Sequence, residues 1–289
     1  AIEEDPDFAL AYAGLAGCRS LIAVNLRASS VGLTIRQARE AAHKALALDE
    51  SLAEGHASLA FITFRFDWDW PLAEAEFARA IELNPGHAPT RQWRAMFLAS
   101  RSRFDDALAE MQAALELDPL SLVIQTGVGR VLHFAGRFDE ALAQYEHVLR
   151  LNPAFAQAYI DLSLTRLALG DLEGMRKSLD AAETLSGGAS TVMLLRGLCA
   201  ARDAQHAEGC RILTELESRY AAGSAGVDDL ALLAAVLGDW DRALPWLKEA
   251  CSRRAPFLGY VDVEPAMAAF REHPESRALL RQYGFDAIP

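Results

Sequence analysis

The chain has only four cysteines among its 289 residues, and none forms a Cys-x-x-Cys pair. Cys18, Cys199, Cys210 and Cys251 are scattered. That argues against a disulfide framework or a zinc site and for a reducing compartment, with the cytoplasm as the expected location. Positive charge is scarce: 28 Lys and Arg against 40 Asp and Glu leave a formal charge of −12 and a pI near 5.1. Nucleic-acid binders carry a basic stripe that displaces counterions, so no direct DNA or RNA contact is expected. No apolar run approaches the ~18 residues of a membrane span, and no signal peptide is visible. No HExxH, GxSxG, P-loop or zinc-ligand spacing occurs, and the seven His are dispersed. Ser186-Gly187-Gly188-Ala189-Ser190 follows a helical pattern rather than a strand and lacks a Gly-Lys-Ser/Thr ending, so it reads as a linker. His206-Ala-Glu208 opens like a zinc deaminase signature, but no Pro-Cys-x-x-Cys follows. No catalytic residue, metal or cofactor is therefore expected. An initiator Met is missing, and the opening AIEEDP reads as the last turn of an earlier hairpin, so a longer parent protein is expected.

What the sequence does have is a period. From Pro119 to Pro153 two helical patterns, Leu122 to Ala135 and Phe138 to Leu151, flank a break at Gly136-Arg137. Such a hairpin cannot bury its apolar faces alone. Sites matching Pro153 are Pro6, Glu50, Pro85, Pro119 and Gly187, with steps of 44, 35, 34, 34 and 34 residues. Five residues before these stops lie Ala45, Ala80, Ala114, Val148 and Ala182. Twelve before lie Ala38, Ala73, Ala107, Ala141 and Met175; eight before lie Ala42, Phe77, Met111, Tyr145 and Leu179. The preceding helices carry Ala60, Ala95, Gly129 and Ser163 in register. Small residues let the two helices of a hairpin approach, and large ones fill the space between hairpins.

This order of small, large, small and Pro sites over ~34 residues resembles the tetratricopeptide repeat. The match covers Ala1 to about Gly187, and Val227 to Arg254 less fully. Arg91 departs from the usual aromatic or apolar residue, and Glu50 and Gly187 replace Pro. The resemblance implies an all-α, right-handed superhelical solenoid of six to seven antiparallel helix hairpins, closed by a short non-repeat helical cap. The predicted layout is a regular array over 1–187, a degenerate hairpin and linker over 188–226, a last hairpin over 227–255 and a capping tail over 256–289. The 44-residue step predicts an insertion of about ten residues near 25–34, a polar loop holding Arg27, Ser29, Ser30 and Gly32, with the partner helix from Ile35 to Leu48. The 35-residue step places one extra residue at the turn carrying Phe66-Asp67-Trp68-Asp69-Trp70-Pro71. The two Trp are expected to seal that hairpin end, with an exposed contact patch as the alternative. Tyr260 to Pro265 reads as extended, followed by short helices at Ala266–Arg271 and Pro274–Tyr283.

The tail also resembles the ending of bacterial multi-repeat regions carried behind winged-helix regulators, adenylate cyclase domains or protein kinase domains. Glu264-Pro265, Phe270-Arg271, His273-Pro274, Leu279-Leu280 and Gly284-Phe285 carry the likeness, together with Asp67-Trp68-Asp69-Trp70 and Leu117-Asp118-Pro119-Leu120-Ser121. Glu275-Ser276 departs from the Arg-Phe usual there. The likeness implies an effector domain elsewhere in the parent protein.

Binding is expected on the inner face, which the first helices line. The phase puts Ala57, Phe61 and Phe64 there, then Gln92, Met96, Thr126, Arg130 and His133, then Ile160, Leu164 and Leu167. This is an apolar trough with a basic spot, suited to a peptide carrying an apolar anchor and a carboxylate. The bland alternative packs Phe61 and Leu164 between neighbouring helices and pairs Arg130 with a surface acid. The Lys/Asn clamp of chaperone-tail binders is absent from these sites. The expected role is a non-enzymatic protein- or peptide-binding scaffold in a signalling protein. The alternatives are a homo-oligomerisation module and an accessory domain of an enzyme whose catalytic domain lies elsewhere.

Overall fold

Small residues sit wherever two helices touch, and that sets the architecture. The structure, a computed structural model, describes residues 1–26 and 31–285. Among the described residues, fourteen helices form seven antiparallel pairs. The first pair is α1 (Ala9–Leu26) with α2 (Val31–Leu48), and the second is α3 (Ala53–Ile62) with α4 (Trp70–Leu83). Next come α5 (Ala88–Ser100) with α6 (Phe104–Leu117), and α7 (Leu122–Phe134) with α8 (Phe138–Leu151). Then come α9 (Ala156–Leu169) with α10 (Leu172–Ser186), and α11 (Ser190–Arg202) with α12 (His206–Ala221). The seventh pair is α13 (Val227–Val236) with α14 (Trp240–Ser252), and no strand occurs among the described residues. The pairs stack into a solenoid in which each touches its neighbours.

The sequence period reappears as burial. Ala38, Ala73, Ala107, Ala141 and Met175 are all fully buried, as are Ala42, Phe77, Met111, Tyr145 and Leu179. At Gly129 a Cβ would lie 2.5 Å from Tyr145 Cε1, so this close approach needs glycine. The period also fixes the hairpin turns. Trp68, Ser102, Gly136, Gly170, Ala204 and Gly238 all have positive φ, between 56° and 78°. They recur every 34 residues without interruption, straight through the hairpin read as degenerate. Left-handed backbone is free for Gly and costs other residues roughly 1–2 kcal/mol, so Trp68 holds its place against strain.

Three expectations change. The extra residue of the 35-residue step lies before the turn rather than in it: α3 runs on into a π turn, Thr63–Asp67, which absorbs one residue without breaking the helix. The insertion of the first hairpin mostly lengthens its helices, since α1 and α2 each span 18 residues and Gly32 and Thr34 are helical. Arg27, Ser29 and Ser30 lie outside the described residues. Tyr260–Pro265 is not extended: a 3-10 turn, Pro256–Tyr260, leads through turns to a second one at Pro265–Met267. Two short helices come next, α15 (Ala268–Glu272) and α16 (Pro274–Arg281). At the other end, Ala1–Asp5 make one helical turn, closed by Asp5 N–H donating to the Ala1 carbonyl at 2.8 Å.

The tail covers more than the last hairpin. It lies against α13 and α14, where the His273 ring stacks on Trp240 at 3.7 Å. It then returns across the solenoid to the second hairpin. Trp68 is 5% exposed and meets the rings of Phe285 at 4.7 Å and Tyr283 at 6.1 Å. Trp70 Nε1 donates to the Gly284 carbonyl at 3.4 Å. The two Trp therefore bind the tail rather than a free surface. All four cysteines remain thiols, and burial pushes Cys251 up to about 12.

Candidate functional site

A curved stack of hairpins leaves a hollow along its inner face, and here the tail crosses one end of it. The crossing contacts fall at the C-terminal ends of the first helices. Tyr260 stacks on Phe134 at 5.1 Å and meets Phe64 edge-on at 5.9 Å. Glu264 Oε1 reaches His133 Nε2 at 3.3 Å and accepts from the Ala266 N–H at 3.0 Å. Asp262 pairs with Arg101 at 3.6 Å. The far end of the hollow lies at the N-termini of α7, α9, α11 and α13, where Val123, Gln157, Thr191 and Asp228 line it. The space between measures about 770 Å³. Its size matches sites that enclose a small ligand or a few residues of peptide.

Of the eleven expected residues, seven line this space: Phe61, Gln92, Met96, Arg130, His133, Ile160 and Leu164. Ala57, Phe64, Thr126 and Leu167 do not. Phe64 is 1% exposed beneath Tyr260, and the Thr126 hydroxyl donates to the Leu122 carbonyl at 2.7 Å in its own helix. His133 is also spoken for, with Glu264 on one ring nitrogen and the Thr165 hydroxyl 2.9 Å from the other. Phe61 packs on Trp93 with centroids 4.9 Å apart.

Of the two readings of Arg130, a ligand carboxylate or an acid of the chain itself, the structure has the second: it donates to Asp161 Oδ2 at 2.6 Å, and Gln157 Nε2 holds the other Asp161 oxygen at 2.9 Å. Burial, the largest single influence, would lower the Arg130 pKa, but the Asp161 charge, the nearby Tyr145 and Tyr260 and the hydrogen bond to Asp161 together outweigh it and hold it above the ordinary value. The basic spot is thus an internal ion pair.

The same phase, continued by 34 residues per hairpin, finds the rest of the wall beyond Leu164. Phe61, Met96, Arg130 and Leu164 are followed by Leu198 and Leu232, and all six line the hollow. Gln92, Thr126 and Ile160 are followed by Leu194 and Asp228, which also line it. The signal was the turn period, masked because hairpin six lacks the usual residue types. The long first hairpin adds Leu21, Val24 and Ile35 from outside the repeat logic.

Among the described residues, no group of three or more His, Cys, Asp or Glu is placed to hold a metal ion. No described helix is long and apolar enough to cross a membrane.

The tetratricopeptide repeat family model matches residues 124–155, which span α7, α8 and the turn after them. Curated proteins give no match to the sequence. Among solved structures the chain is similar to one in the crystal structure of the APC/C hetero-tetramer Cut9–Hcn1, at 13% identity and TM-score 0.59, covering 98% of this chain and 56% of that chain. It is also similar to PilW, described as a widely conserved type IV pilus biogenesis factor, at 19% identity and TM-score 0.56, covering 74% of this chain and 96% of that one. At these identities the likeness concerns the fold: the chain is a helical solenoid of the tetratricopeptide type, with one repeat matched in sequence.

Proposed function

We propose that the chain is a non-catalytic scaffold that grips a segment of another polypeptide in its axial hollow, and that it serves as the interaction region of a larger cytoplasmic signalling protein of bacteria. The observation that carries this reading is the hollow itself. Its wall is built from the inner positions of six successive first helices, and those positions are largely apolar: Phe61, Met96, Leu164, Leu198 and Leu232, with Ile160 and Leu194 beside them. A peptide with apolar side chains could bury them there, and Gln92 offers an amide to its backbone. The place in a signalling protein rests on the likeness of the tail to the bacterial repeat regions named above.

The test is a selection of acetylated, amidated random heptapeptides on the immobilised chain, followed by titration of the selected peptides against wild type and Ile160→Glu. Half-buried Ile160 faces the hollow, so a charge there blocks it. The expected result is micromolar binding to wild type that weakens at least about tenfold in the variant, roughly 1.4 kcal/mol, with both proteins unfolding at similar temperatures. Selected peptides that bind both proteins equally would show that the hollow is not the site.

A further inference from the structure

One ionisable side chain on the wall stands apart from the rest. Asp228, the second residue of α13, is 5% exposed and faces the hollow. It makes no hydrogen bond or ion pair among the described residues, although burying a carboxylate without a partner is costly. Its position beside a helix start gives some relief from the backbone dipole. The capping role is already taken, however: Asp229 Oδ2 accepts from the Gly226 N–H at 3.3 Å.

The other charges on the wall are matched. Arg39 pairs with Asp67, Arg130 with Asp161, Glu264 with His133 and Arg253 with Glu249. Arg254 lies over the rings of Trp68 and Tyr283, at 4.8 and 5.2 Å. Arg65 lies over Tyr260 at 4.6 Å. Asp228 sits at the end of the hollow away from the tail. Around it, Leu194 holds the equivalent place on α11 and Leu232 comes one helical turn later on α13.

We propose that Asp228 is the specificity anchor of the hollow and that the segment bound there carries a Lys or Arg side chain beside aliphatic residues. This rests on the hollow being the peptide site. The ligand's charge is then the reverse of the one a free Arg130 would select. A basic side chain entering beside Leu194 and Leu232 would run its methylene stem along the leucines and place its cationic head on the carboxylate. A charge-assisted hydrogen bond of this kind is worth about tenfold or more in affinity.

The experiment uses the heptapeptides selected on wild type, resynthesised with each basic residue replaced by norleucine or by Glu, and titrated against wild type, Asp228→Asn and Ile160→Glu. The expected result is enrichment of Lys or Arg next to Leu, Ile or Val. Replacement by norleucine should then weaken binding to wild type at least about tenfold but change binding to Asp228→Asn less than about twofold, which isolates the pair. Glu should bind wild type worst. Thermal unfolding of Asp228→Asn checks that α13 is intact, and Asp228→Glu, which keeps the charge, should retain the preference for Lys. Peptides blocked by Ile160→Glu that show no basic preference, or a preference unchanged in Asp228→Asn, overturn the anchor and leave the hollow standing. Peptides indifferent to Ile160→Glu overturn the hollow and the anchor with it.

Discussion

Glu264 and His133 lie 131 positions apart, and both are at most 3% exposed at the side chain. Each is needed to make the other tolerable, because a buried acid or imidazole without a partner carries a large desolvation cost. Burial alone would raise the Glu264 pKa. The His133 charge, the hydrogen bond to it and the Ala266 N–H together outweigh burial and hold the carboxyl below its ordinary value of 4.5. A group depressed in the folded chain stabilises it above the unfolded value, and that contribution is lost as pH falls through the folded value. The expected outcome for Glu264→Gln is a loss of about 3–5 kcal/mol near neutral pH, at the low end if the amide keeps a bond to His133. The gap to wild type should narrow below about pH 4.5, measured as urea unfolding at a series of pH values. A gap independent of pH would mean that the pair holds the tail by shape alone.

At the scale of elements, the π turn explains why the second hairpin differs from the others. One added residue within Thr63–Asp67 rotates the backbone downstream of it, and Trp68 enters its left-handed position facing the tail. Phe285 fills the space against Trp68 and is 2% exposed. In Phe285→Ala the end of the tail should detach while the hairpins stay folded. Hydrogen exchange is expected to speed up at amides 276–285 and stay unchanged in α7 to α10, since solenoid units open locally. Faster exchange in α7 to α10 as well would show that the tail supports the central hairpins. This element also marks how far the sequence could be read. The small and large positions of each repeat were legible because they face neighbours at fixed spacing, and every one from Ala38 to Leu179 is buried as the period requires. The inner wall was legible for the same reason as far as Leu164. The tail was not: its partners, Phe64, Trp68, Arg101 and His133, are set by the closure of the superhelix, and no local spacing encodes a contact between residues 70 and 284. Which acid would pair with Arg130 was not legible either, because Asp161 belongs to the next hairpin at a position the repeat leaves free.

Across the whole molecule, the tail converts an open stack into one closed on itself. In an open solenoid each hairpin depends only on its neighbours, and the two ends can unfold separately. Here the second hairpin holds the last one's extension through Trp68, Trp70, Tyr283 and Phe285. Closing so long a loop costs little more than closing a short one, about 0.6 kcal/mol per doubling of length. Burying a large aromatic contributes roughly 3–5 kcal/mol, so the closure is favourable and couples the ends. The wild-type chain is therefore expected to unfold in urea in one transition, with helix content and Trp fluorescence changing together. The double variant Trp68→Ala/Phe285→Ala removes the end of the bridge and leaves the crossing contacts of Tyr260, Asp262 and Glu264 in place. It should unfold over a broader range with a smaller apparent slope, the fluorescence of Trp240 and Trp246 in the last hairpin departing from the overall loss of helix. If the double variant keeps one sharp transition at a lower midpoint, with both signals still coincident, the end of the tail adds only stability and the cooperativity lies in the hairpin interfaces and the crossing at Tyr260 to Glu264.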